Sequence, residues 1–191
     1  MNHFEVFGLE RRLGVDTEAL RERFYALSRQ WHPDFHAQAP PDAQGRALEA
    51  SARLNAAYRA LRDPIARIEY LVRLEEGRET KEGAAVKPQA PPALLEEMFE
   101  MQEALAEARA GGVLDETARK TLATQRERLM ARLQDEEARL IGPLSAAWDA
   151  ATPAERPAAL AQLKDALATR AYLRTVVDDL GQALADGAGE A

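Results

Sequence analysis

Leu20, Phe24, Leu27 and Trp31 recur at spacings of four, three and four, which is one face of an α-helix, and this stripe stops at His32-Pro33-Asp34. Pro33 has no backbone N–H and disfavours helical geometry at the residue before it, so the helix has to end there. The tripeptide therefore leaves one histidine and one carboxylate at a loop, a compact recognition point. Asp16 is placed to cap the start of the helix, because its carboxylate can accept the free N–H groups of the first turn. After a polar loop through Pro40 and Pro41, a second helix carries Ala47, Ala50, Leu54, Ala57, Tyr58 and Leu61 inward, antiparallel to the first. Asp63-Pro64 ends it and opens another helix with Ile65, Ile68 and Val72 on one face. A short element from Phe4 to Leu9 is expected to pack against the pair.

Composition points the same way. Alanine, leucine, glutamate and arginine dominate the 191 residues, 46% are apolar, and β-branched residues are scarce, so an all-α chain of two small domains is expected. There is no cysteine, which excludes disulfides, thiolate zinc sites and cysteine ligation of an iron-sulfur cluster. A net charge of -7 and a pI near 5.1 argue against a general affinity for nucleic acid. No apolar run is long enough to span a bilayer, and Met1-Asn2-His3-Phe4-Glu5 lacks the regions of a secretory signal, so a cytoplasmic protein without membrane partners is expected.

From Gly77 to Pro92, glycines and prolines mix with charges and no apolar period survives, the pattern of a linker. Helices are then expected from about Ala93 to Arg109 and from about Asp115 toward Leu140, with Gly142-Pro143 kinking or interrupting the second before Trp148. Thr152-Pro153-Ala154-Glu155 combines an N-cap, a proline at the first helical position and a glutamate at the third, the start of a final helix. The expected division is 1–76, a linker over 77–92, and a three-helix bundle over 93–191. At about 100° per residue, Leu94, Met98, Met101 and Leu105 form a core face, while Leu95 and Phe99 lie a quarter turn or more aside, next to Glu96, Glu100, Glu103 and Glu107. Tyr172 lies about a quarter turn from the stripe Leu173, Val177, Leu180 and Leu184. Off-stripe apolar residues beside an acidic ridge suit a protein-binding surface; the alternative is that Phe99 and Tyr172 complete a wide core.

The N-terminal part resembles a J-domain, the module with which co-chaperones stimulate DnaK-class heat-shock chaperones. The resemblance rests on the order Phe4-to-Leu9 element, helix ending at Trp31, His32-Pro33-Asp34, Asn55-Ala56-Ala57-Tyr58, then Asp63-Pro64 before Arg67 and Tyr70. Leu95 to Leu105 in turn resembles the scaffold-binding segment of the HscB class of co-chaperones, and Arg67-Ile68-Glu69-Tyr70-Leu71 has the look of the same class. Three departures stand out. Phe35 follows the tripeptide where many J-domains carry a basic residue, Glu96 stands where an apolar residue is usual in bacterial relatives, and Gly142-Pro143 falls in the long middle helix.

The resemblance implies two contact sets. His32, Pro33 and Asp34, with Arg21, Arg23 and Arg29 on the preceding helix, would engage the acidic surface of a DnaK/HscA-class ATPase chaperone. Leu95, Glu96, Phe99, Glu100, Glu103, Glu107 and Tyr172 would hold an IscU-type iron-sulfur cluster scaffold. The rivals are a J-domain co-chaperone with another client and a helical interaction protein in which the tripeptide is only a turn. No enzyme is expected, because no nucleophile with a base and no Gly-rich phosphate loop occurs. His32 and His36 stand four apart, but Pro33 breaks the helix that would align them as ligands, so neither metal nor cofactor is expected. The Leu95/Phe99 patch could also pair two copies of the chain.

Overall fold

The computed structural model describes residues 1–77 and 116–186, and every regular element among them is helical. Helix α1 (His3–Val6) is short but held at its start by a reciprocal cap. The Asn2 side chain accepts from the Glu5 amide, and the Glu5 carboxylate accepts from the Asn2 amide. Helix α2 (Thr17–Trp31) begins where Asp16 accepts from the Glu18 and Ala19 amides. A 3₁₀ turn (Pro33–His36) follows, then α3 (Pro41–Arg62) and α4 (Pro64–Glu75), the last capped by Asp63 through the Ala66 amide. Gly77, at a φ of +67°, ends this run in a left-handed conformation that favours glycine.

Helices α2 and α3 form the antiparallel hairpin expected from the sequence. Phe24 stacks on Tyr58 with ring centroids 4.2 Å apart, and Leu20, Ala47, Leu54, Ala57 and Leu61 are buried. Phe4, Phe7, Ile65, Ile68 and Leu71 close the rest of this core. Tyr70 fastens the N-terminus to α4: its hydroxyl accepts from the His3 amide at 2.8 Å, and its ring stacks on the His3 imidazole.

The proline at 143 does not stop the chain. Helix α5 (Glu116–Arg139) widens into a π turn over Leu140–Leu144 with Pro143 inside it, then runs into α6 (Ser145–Ala150). A wider turn is how a helix accommodates a residue that cannot donate to the ladder and whose ring crowds the preceding carbonyl. Helix α7 (Arg156–Asp186) follows the Thr152-Pro153-Ala154-Glu155 start signal, in which the Thr152 amide and hydroxyl both donate to the Glu155 carboxylate.

The chain divides into two compact units. The first is Met1–Gly83 together with Pro143–Leu160, so that α6 joins the hairpin unit and not the C-terminal helices with which sequence reading grouped it. Among the described residues of the second unit, α5 and α7 run antiparallel. The Arg126 side chain donates to the Val177 carbonyl, and Arg170 pairs with Glu137 at 2.8 Å. Their shared core is Leu122, Leu129, Tyr172, Leu173, Val176, Val177, Leu180 and Ala183. The helix expected over 93–109 and most of the expected linker lie outside the described residues.

Candidate functional site

His32 ends α2 in an extended conformation (φ -65°, ψ 128°), and its carbonyl accepts from the Phe35 amide at 3.1 Å. Pro33 opens the 3₁₀ turn, where its missing N–H would have had no partner in any case. His32 Nδ1 accepts from the Asp34 amide at 3.3 Å, so the neutral ring carries its proton on Nε2. The same Nδ1 lies 3.6 Å from Asp34 Oδ2. With side chains 49% and 86% exposed, the pair offers solvent a donor and a carboxylate acceptor side by side.

The turn beneath them is braced. His36 Nε2 donates to the Gln30 carbonyl at 3.0 Å, and the His36 ring stacks with Trp31. The Gln44 amide on α3 donates to the carbonyls of Ala37 and Ala39 at 3.1 and 2.8 Å. His32 and His36 are thus each engaged with local groups, and the described residues hold no cluster of three or more metal-ligating side chains.

The three arginines expected to accompany the tripeptide do not share a face. At about 100° per residue, Arg21, Tyr25 and Arg29 fall within an arc of about 80° that leads toward His32, while Arg23 lies nearly opposite Arg21. Arg23 donates to the Phe7 carbonyl at 2.9 Å and so ties α2 to the N-terminal segment. Arg21 pairs with Glu18, an exposed pair worth little in stability. Sequence reading passed over Tyr25, which is 57% exposed on the His32 side of α2. Its place three residues before the last turn, off the Leu20–Trp31 stripe, was the available signal.

A second feature of this unit was also passed over. Asp149 on α6 accepts from the Leu13 and Gly14 amides, each at 2.7 Å, and lies near the Arg12 side chain. Gly14 permits this approach, since a Cβ there would stand 3.0 Å from the carboxylate. Arg67 is buried and donates to the Leu61 carbonyl at the end of α3. Burial pushes its pKa down, and the charges of Asp63 and Asp149 act against that shift. Trp148, beside Asp149, is buried and lies under the Arg156 guanidinium.

A DnaJ domain family model matches residues 2–70, the stretch that holds the hairpin, the braced turn and the Arg67–Tyr70 end of α4. Over that stretch the chain is similar to DnaJ domains. Beyond it, the chain is 38% identical over 113 residues to a co-chaperone protein HscB homolog from Ralstonia nicotianae. That match takes in 59% of this chain and 62% of the relative. In fold it is similar to chaperone HscB from Vibrio cholerae, with a TM-score of 0.61 at 24% identity over 98% of this chain and 99% of that one. Human co-chaperone protein HscB is similar too, at a TM-score of 0.60 and 24% identity over 95% and 81% of the two chains. The likeness to HscB-type co-chaperones and the all-α architecture expected from the sequence are both borne out. The described residues include no helix long and apolar enough to cross a membrane.

Of the expected scaffold-binding set, Leu95, Glu96, Phe99, Glu100, Glu103 and Glu107 lie outside the described residues. Tyr172 lies within them and is 7% exposed, inside the α5–α7 core. The quarter-turn offset from the apolar stripe does not put it on the surface; the core between two helices is wide enough to take it in.

Proposed function

We propose that the chain is a non-enzymatic adaptor of iron-sulfur protein maturation. The DnaJ domain stimulates the ATPase of a DnaK/HscA-class chaperone, and the C-terminal unit delivers an IscU-type scaffold to that chaperone. The observation that carries the first half is the braced turn, which presents the His32 imidazole and the Asp34 carboxylate together to solvent. Arg21 and Arg29, on the same side of α2, would favour an acidic partner surface and speed encounter more than they add affinity. Arg23 serves this reading less, because it is engaged with the Phe7 carbonyl.

The second half rests on the likeness to HscB homologs and on the apolar and acidic segment Leu95 to Glu107. Tyr172, buried in the α5–α7 core, does not itself form an exposed anchor. Coupling is by tethering: one molecule holding both client and chaperone raises their effective concentration for each other. Cytoplasmic location follows from the same reading.

A pull-down from the source organism tests it, using the full chain as bait. The chain should retain an iron-sulfur scaffold and a DnaK-class chaperone. Leu95→Ala with Phe99→Ala should lose the scaffold alone, and His32→Gln should lose the response of the chaperone alone. Loss of both partners in either variant, or recovery of neither by the unmodified chain, contradicts the assignment.

A further inference from the structure

Phe35 is 75% exposed, more than any other large apolar side chain of the described residues except Met1 at the N-terminus. Exposure of this kind at a chain terminus or on a loose loop would carry no argument, but Phe35 stands on neither. Its amide is bonded to the His32 carbonyl within the 3₁₀ turn, and the residues on both sides are pinned by His36 to Gln30 and by Gln44 to the carbonyls of Ala37 and Ala39. The phenyl ring meets the edge of the His32 imidazole with centroids 6.0 Å apart and planes at 70°. A surface that seats His32 therefore has to cover Phe35 as well.

We infer that Phe35 is an apolar anchor and specificity determinant for the chaperone that His32 and Asp34 engage, and that this chaperone offers an apolar pocket beside its acidic contact surface. The inference rests on the docking reading above and deepens it. An aromatic side chain has only two χ angles, so one mounted on a braced turn loses little freedom on binding, and such residues carry a large share of interface affinity. A lysine at the same place would present a charge where the partner has apolar lining, and it would lose both the burial and the desolvation balance. Phe35 acts on binding, and His32 with Asp34 acts on the response.

The test is ATP turnover by the DnaK-class chaperone of the same organism, titrated with the full chain. Phe35→Ala and Phe35→Lys should each raise the concentration for half-maximal stimulation about tenfold, with the plateau unchanged. Phe35→Leu should stay close to the unmodified chain. His32→Gln should remove the plateau. If Phe35→Ala and Phe35→Lys titrate like the unmodified chain while His32→Gln is silent, the anchor is refuted and the docking reading stands. If His32→Gln stimulates normally, the docking reading falls and the anchor falls with it. Since Phe35 is exposed, helical circular dichroism should be the same for all three Phe35 variants.

Discussion

Single residues at two places decide how the N-terminal unit works and holds together. His32, Pro33 and Asp34 were legible in the sequence because proline acts on its immediate neighbours, and no distant contact is needed to predict the break. Asp149 was not legible, since its partners Leu13 and Gly14 lie 136 and 135 residues away and backbone amides leave no mark in a sequence. Arg67 was read as part of a family signature, but its burial depends on the Leu61 carbonyl and two carboxylates that only the fold assembles. Asp149→Ala leaves the Leu13 and Gly14 amides without their acceptor, removes a charge that favours the buried Arg67 guanidinium, and should cost about 2–3 kcal/mol. Asp149→Asn should cost less, because one carbonyl acceptor remains. Both tryptophans, Trp31 and Trp148, belong to this unit, so urea unfolding followed by tryptophan fluorescence reads it selectively. A midpoint unchanged in Asp149→Ala would show that the clasp adds no stability.

Helix ends were legible for a related reason, because capping is local. Asp16 and Asp63 cap through their carboxylates, whereas the Thr152 hydroxyl donates to Glu155 and accepts no helix amide, and the last helix begins at Arg156, past Pro153. The Glu155 carboxyl is held below its ordinary pKa, first by the Thr152 amide and then by the Thr152 hydroxyl. A depressed folded-state pKa contributes stability that is present above the unfolded value and is lost as pH falls through the folded one. Glu155→Gln should therefore melt below the unmodified chain at neutral pH, and the gap should begin to narrow below the ordinary glutamate value, about 4.3, and close once the pH is below the depressed folded value. A gap independent of pH would place the effect elsewhere. Thr152→Ala, which removes the exposed hydroxyl bond to Glu155, should lower the melting temperature only slightly. Pro143 was the harder element to read: the sequence shows where the ladder fails but not whether the helix breaks or widens, and in the structure it widens into a π turn over residues 140–144. Tyr172 was open in the same way between a surface anchor and a wide core, because a helical wheel gives direction but not the width of the core it faces.

At the scale of the molecule, the compact unit that holds the DnaJ-like stretch takes in a segment far along the chain. Pro143–Leu160 belongs to its compact unit, with Asp149 holding the Leu13–Gly14 backbone and Trp148 buried next to it. A fragment of residues 1–77 should consequently unfold at lower urea than the same unit in the full chain. Trp148→Ala in the full chain should lower its stability by about 3–5 kcal/mol. In the proposed two-ended adaptor, one end docks by the His32 turn and the other brings the client. The measurement that tests it most directly is steady-state ATP hydrolysis by the DnaK-class chaperone with the full chain and the purified scaffold, alone and together. The account predicts that chain and scaffold together stimulate more than the sum of each alone, and that His32→Gln abolishes this with the scaffold still bound to the chain. Simple additivity, or full synergy in His32→Gln, would contradict it.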